Sequence, residues 1–468
     1  MRVFGIETEY GVTARGSGVA PEVLSELVIR AIEPGSALGA DPLAEAVLGP
    51  EDLAANRVLG NGARAYVDHA HPEYSSPETT TPSMLVAYDR AGDLLVREAA
   101  ARASATTGLD IRVYRNTTDG KGVSYGRHEN HLVDRAVPWQ RLADVMTGFL
   151  VARVPLVGAG RVGIGQRGEV PGYQISQRAD FLVTAIGLQT THDRPILNTR
   201  DEPLADPRRW RRLHVITGDP AWNEFQTWLT MGSAALVLAA TEAGLIEPLR
   251  WADPVHALQT FSHDPTLRAT SETTDGRTLT ALDALDQHYA ACAHHVLASG
   301  DVIGVETVAV LEAWGTLLDD LRRDVESTAD RLDWVAKHRL LTRLRERTGS
   351  DWDQPPVQAT DLAWGDVASS PALRLAAAGE WRTVITADDA KQAMTAPPPT
   401  TRAWLRGTLV SRFASEVVSA GWDDIVVRRR GGRMQHLPLP EPLEHTAPTM
   451  QWASTAPDLE SFLLAEGW

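Results

Sequence analysis

The chain opens MRVFGIETEYGV, and the alternation in that stretch constrains the fold more than any other feature. Phe4, Ile6, Thr8 and Tyr10 fall on one face of a strand, and Val3, Gly5, Glu7, Glu9 and Gly11 on the other. Side chains two apart on a strand point the same way, roughly 6.5–7 Å apart, so the two carboxylates share a face. The first face reads as buried. The second is either wet or covered by something cationic.

A chain of 468 residues is too long for one simple core. It reads as two or three domains, or one large domain with an appendage. The hydrophobic fraction of 43% and charged fraction of 23% are those of a globular protein, not a disordered one. A formal charge of -16 argues against a general nucleic-acid or anionic-membrane binder, because phosphate contacts need a basic face. Cys292 is alone, so neither an intramolecular disulfide nor a cysteine metal cluster can form, which fits a cytoplasmic protein. No apolar run has the length of a signal peptide or a membrane span. The longest, AALVLAATEAGLI (234–246), carries Glu242 and reads as a core helix.

Helices are expected over 21–32 and 82–105, each with proline in its first turn, and throughout 303–347. The Gly/Ala/Pro/Asp-rich segment 33–62 reads as a long mobile loop. ARAYVDHAHPEYS (63–75) reads as a strand stopped by Pro72. Residues 109–133 read as strand, turn and strand, with Asp119-Gly120 at the turn. The three prolines of TAPPPTTRAW (395–404) mark a linker, leaving a small C-terminal domain with a strand at 425–427 and a Gly-Gly turn at 431–432.

Acidic and imidazole residues gather in the strand-like segments. Glu7 and Glu9 share a face, as do Arg64, Tyr66 and Asp68, with Glu73 just past Pro72. His128 and Asn130 share a face, and so do Arg212 and His214. Carboxylates with imidazoles suit Mg²⁺ or Mn²⁺ holding a nucleotide's phosphates, and arginines beside them suit the phosphate oxygens. A spare carboxylate can serve as base or nucleophile. Each residue taken singly also has a plain structural reading: a solvated strand face for Glu7 and Glu9, a structural histidine for His128. HENH (128–131) lacks the helical zinc spacing, and GAGRVGIGQRG (158–168) lacks the strand-to-helix context of a dinucleotide loop. Arg208 and Arg209 read as a solvated basic turn.

These same residues carry a family resemblance. GIETEYG, NGARAYVDHAHPEYSSPE, DGKGVSYGRHEN, QISQRAD, NTRDEP, RRLHVITGD and PPPTTRAWLRG follow one another from residue 5 to 407. In that order they resemble the Pup ligase and Pup deamidase/depupylase family, which acts on Pup, a small acidic protein modifier. The resemblance implies a glutamine synthetase-like α+β fold. Its curved, mainly antiparallel sheet, packed with helices, would span residues 1–400, with a small C-terminal domain over 401–468. It implies ATP, or ADP and phosphate, with two or more Mg²⁺ ions. Glu7, Tyr66 and Glu73 would surround one ion, and Glu9, His128 and His214 another, with Glu7 near both. Arg200 and Arg212 would hold phosphates, Trp422 would lie near the base, and Asp68 would be the catalytic aspartate. Pup and pupylated proteins would be the partners of a monomeric cytoplasmic enzyme, with no nucleic acid or membrane involved.

DHAHPEYS, DGKGVSYG and DPTLRAT resemble the deamidase branch, whereas GIETEYG is the ligase-like form. The segment 33–62 is intermediate in length between the two branches. Thr117, His131 and the stretch Pro220-Ala221-Trp222 depart from the family pattern, and the last is expected to reshape the substrate pocket. The leading expectation is an amidase/isopeptidase that deamidates Pup's C-terminal glutamine and removes Pup from lysines. A diverged paralogue or ATP phosphotransferase, a Pup ligase, and a non-catalytic Pup- or nucleotide-binding protein are the alternatives.

Overall fold

The computed structural model describes residues 2–32, 37–38, 56–190, 192–450, 452 and 455–468. Most of the expected 33–62 loop lies outside the described residues. Its described end is not loop throughout, because Asn56–Val58 is a strand.

Phe4–Glu9 is the central strand of a nine-stranded sheet. On one side lie Arg127–Asp134, Trp210–Gly218, Pro195–Asn198 and Thr184–Gly187. On the other lie His71–Ser75, Arg64–Asp68, Asn56–Val58 and Ala37–Leu38. Every pairing is antiparallel except that of Thr184–Gly187 with Pro195–Asn198. Phe4, Ile6 and Tyr10 are buried in the main apolar core with Leu85, Val96, Phe149 and Leu229 from the helices. Those helices are Pro82–Thr107, Trp139–Ala152 and Glu224–Glu242. Thr81 caps the first by accepting from the Met84 amide, and Asn223 caps the last by accepting from that of Gln226. Together sheet and helices make an α+β fold.

Several local expectations change. The strands at 111–114 and 127–134 do not pair with each other: Ile111–Tyr114 pairs with Gly11–Ala14 in a separate two-stranded ribbon. The helical run 303–347 divides into Thr307–Arg323 and Asp333–Thr348, joined by a 3₁₀ turn at Val325–Thr328. Asp324 initiates that turn by accepting from the Glu326 amide. The proline-rich stretch is packed down rather than free: Thr401 Oγ1 donates to the Glu78 carbonyl at 2.8 Å, and Arg402 is buried.

Beyond it, the helix Ala403–Arg412 and the sheet Val417–Ala420, Asp424–Arg428 and Met434–Pro438 build a second apolar cluster. Leu405, Ile425, Leu437 and Phe462 fill it, and Val58 reaches in from the last strand but one of the large sheet. Among the described residues, no helix is long and apolar enough to cross a membrane.

Candidate active site

Antiparallel register converts the sequence pattern into a surface. Glu7 stands opposite Ser75 on one side and His128 on the other, and Glu9 stands opposite Glu73. Tyr66 is opposite Glu73, Asp68 opposite His71, Arg212 opposite Leu132 and His214 opposite Asn130. Directly opposed residues share a face. Five strands therefore bring Glu7, Glu9, Tyr66, Asp68, Glu73, His128, Arg212 and His214 to the sheet face away from the helices.

Half of this depends on a reversal that the sequence reading missed. Residues 63–75 are two strands, Arg64–Asp68 and His71–Ser75, joined by His69 and Ala70. Pro72 lies inside the second strand instead of ending the first. Its carbonyl accepts from the Tyr10 amide at 2.9 Å, so the strand stays tied to its neighbour by that one bond where proline has no N–H to return. The hairpin folds Glu73 back beside Tyr66, and the Tyr66 hydroxyl donates to Glu73 at 2.5 Å.

Two sets of ligand atoms each lie within 4.8 Å of one another: Glu7 with His128 and His214, and Glu9 with Asp68 and Glu73. This differs from the grouping expected from sequence. Glu7, not Glu9, joins the histidines, and Asp68 stands with the second set. His128 spans the two, with Nδ1 3.3 Å from Glu7 and Nε2 3.9 Å from Glu9. The Tyr66 hydroxyl stands beside the second set, donating to Glu73.

Asn130 organises the first set. Its amide donates to Glu7 at 3.0 Å, so its oxygen accepts from His214 Nδ1 at 2.8 Å. That assigns the proton of His214 to Nδ1 and leaves Nε2 with its lone pair. Burial pushes the His214 pKa well below the usual imidazole range, which keeps the ring neutral. Burial works against the Glu7 charge, but the bond to His128 and the Arg212 guanidinium hold its carboxyl far down. Glu73 goes the other way: burial raises it, and the charges of Glu7 and Glu9 raise it further.

A divalent cation would relieve this crowding. Carboxylate oxygens with one or two imidazoles are donors that Mg²⁺ and Mn²⁺ accept, so the residues present fit such an ion.

At the Gly5 end of the face a cleft opens between the sheet and the C-terminal segment. Gly5, Glu7, Ser76, Leu204, Arg212, Arg402 and Trp422 line it. Arg212 points toward Glu7, 3.8 Å away, and toward the Asn130 oxygen at 3.3 Å. Arg200 is half exposed and 3.3 Å from Glu202, at the rim rather than among the carboxylates. Trp422 lies under Arg406, whose guanidinium carbon is 4.8 Å from the ring centroid. Glu78 anchors this wall by accepting from Arg402 and Arg406.

His71 and Tyr125 belong to the site but were not singled out from sequence, and Asn130 was placed on the face without a role. His71 Nδ1 is 3.7 Å from Glu9, and its ring stacks on Tyr125 with centroids 4.2 Å apart. Gly11 leaves room for Tyr125, because a Cβ there would collide with the phenol oxygen. The alternation in HENHLV was the available signal for Asn130. Tyr125 precedes its strand and had none.

The departures noted from sequence fall outside the face. His131 is buried behind it, 3.4 Å from Glu129. Trp222 does not enter a substrate pocket: it is buried, and its indole N–H donates to the Trp364 carbonyl at 2.8 Å.

This face, with its carboxylate and imidazole sets beside a basic cleft, has the make-up of a metal- and nucleotide-handling enzyme. The family described as Pup-ligase protein matches residues 2–426, and the chain belongs to it. The chain is 40% identical to a Pup deamidase/depupylase of Mycolicibacterium smegmatis, over 94% of each chain. It is also 40% identical to a Pup–protein ligase of Xylanimonas cellulosilytica, over 87% of this chain and 89% of that one. Among solved structures it resembles the ligase PafA in complex with Pup, with a TM-score of 0.84 and 29% identity, covering 100% of this chain and 91% of that one. It also resembles PafA in complex with ADP, with a TM-score of 0.79 and 29% identity over 91% of both.

Proposed function

We propose that the protein is a nucleotide- and Mg²⁺-dependent amidase that deamidates the C-terminal glutamine of Pup and releases Pup from lysines. The observation that carries this reading is the extent of the match. Likeness to a Pup deamidase/depupylase runs over 94% of both chains, while likeness to a Pup ligase covers 87% and 89%. The ligase reading is second, supported by the solved PafA structures and their shared fold.

Glu7, His128 and His214, with Glu9 and Glu73, would hold the ions, and Tyr66 would orient Glu73. Bound Mg²⁺ would neutralise phosphate charge and polarise oxygen. Arg212 and Arg200 would contact phosphates, and Trp422 would lie by the base, with residues 401–468 acting as the small domain that closes that end. Asp68 would act on the amide at the opposite end. It either adds to the carbonyl itself or takes the proton of the water that does, and the amine leaves with a proton.

The test is incubation with Mg²⁺ and ATP plus Pup ending in glutamine, a Pup conjugate, or Pup ending in glutamate with a lysine protein. Ammonia release or conjugate cleavage is expected. Conjugate formation alone would establish the ligase. ATP consumption without any Pup reaction would indicate a diverged paralogue. Asp68→Asn should lower the rate by at least about 10³-fold with nucleotide affinity within about two-fold, and full activity in that variant would remove Asp68 from the chemistry.

A further inference from the structure

The turn beside Asp68 holds a residue that its backbone does not favour. Asp68 pairs with His71, so the reversal consists of His69 and Ala70 alone. His69 sits at φ 53°, in the left-handed region that glycine occupies freely and that asparagine, aspartate and histidine enter more often than other residues. A histidine there costs about 1 kcal/mol. Glycine would make the better turn, so turn formation does not account for the imidazole. Burial does not either, because the side chain is 67% exposed.

What the ring meets is Asp68, with Nδ1 2.9 Å from Oδ1. The turn is also pinned from outside. The hydroxyl of Ser25, fully buried on the helix Pro21–Arg30, donates to the Ala70 carbonyl at 2.7 Å. Strained backbone persists where its surroundings hold it, and it concentrates at working sites.

We propose that His69 is a positioning residue for Asp68. Its ring, with Nδ1 2.9 Å from Asp68 Oδ1, holds the carboxylate's rotamer and leaves the second oxygen for the reaction. This rests on the reading of Asp68 as the group that acts on the amide. A side chain that only orients another should affect turnover more than binding.

Two substitutions separate the imidazole from the turn. His69→Gly suits the left-handed backbone and removes the donor. His69→Asn suits it almost as well and keeps a donor. Both are tested in the full-length protein with Mg²⁺, ATP and Pup ending in glutamine. His69→Gly should lower kcat about 10- to 100-fold, with KM and nucleotide affinity within about two-fold and the thermal midpoint undiminished. His69→Asn should give an intermediate kcat. Wild-type kcat in His69→Gly would overturn the proposal, as would a kcat loss accompanied by a matching rise in KM or fall in midpoint. If the wild-type protein cleaves no Pup amide, that first measurement overturns the functional reading and this proposal with it. Cleavage by the wild type with an unimpaired glycine variant overturns the His69 role alone.

Discussion

The two faces of the first strand handle buried charge in opposite ways. Behind it, Tyr10 donates to Asp93 at 2.9 Å, and Asp93 and Asp89 are ringed by arginines. Arg115 reaches Asp93 at 2.6 Å and Asp89 at 2.7 Å, Arg90 reaches Asp93 at 2.8 Å, and Arg127 reaches Asp89 at 3.2 Å. Burial opposes the Asp89 charge, but Arg115, Arg127 and Arg90 hold its carboxyl far down. In front, Glu7, Glu9, Asp68 and Glu73 crowd together, and the guanidinium that approaches them most directly, Arg212, is 3.8 Å from Glu7. Glu73 is pushed up, not down. The chain supplies its own counter-charges where the cluster is architectural, and leaves them sparse on the face proposed to hold a cation.

The largest expected effect comes from breaking the matched side. Arg115→Met leaves two buried aspartates short of a partner and should cost about 3–5 kcal/mol of unfolding free energy. Denaturant unfolding measures it, and the loss should be the same with Mg²⁺ or with chelator. A loss that Mg²⁺ reverses would mean the two faces are not separate.

Glu78 with Arg402 and Arg406 is a matched cluster in the wall of the cleft. Burial pushes the Glu78 carboxyl up, yet Arg406 and Arg402 win and hold it at about 2, below its ordinary value of 4.5. The stability it contributes is therefore present above about pH 4.5 and lost as pH falls toward about 2. Glu78→Gln should cost about 2–3 kcal/mol at neutral pH and flatten that acid slope. An unchanged slope would take Glu78 out of acid unfolding. Because Arg406 also lies over Trp422, the variant should weaken nucleotide binding as well, which titration calorimetry would read.

Much of this was legible in the sequence. Period-two alternation placed Glu7 with Glu9, His128 with Asn130 and Arg212 with His214 on common faces, because a strand has no other choice. The order of the motifs pointed to the fold. What alternation cannot supply is register. Which carboxylate meets which histidine depends on pairings between residues far apart in the chain: Glu7 stands with His128 and His214, and Glu9 with Asp68 and Glu73. The His69-Ala70 reversal was hidden because a proline inside a strand reads as a stop. The ion cluster around Asp89 and Asp93 draws on three segments that meet only through packing, so no local pattern announces it. Trp222 looked like a pocket residue because it follows His214 closely, but by then the chain has left the sheet for the helical side.

The smallest expected effect is also the sharpest on the comparison. On the front face, removing a charge should help when no cation is present. Glu73→Gln keeps the shape and the bond to Tyr66 while relieving repulsion from Glu7 and Glu9. With chelator the variant should be as stable as the wild type, or about 1 kcal/mol more so. With Mg²⁺ the order should reverse. A cation that binds the folded state stabilises it in proportion to its affinity, and the variant has given up one of the carboxylates that would hold it. Thermal midpoints in chelator and in Mg²⁺ read both arms. If Glu73→Gln is destabilised equally in the two conditions, Glu73 is no more than the partner of Tyr66. The front face would then be a structural cluster like the one behind it.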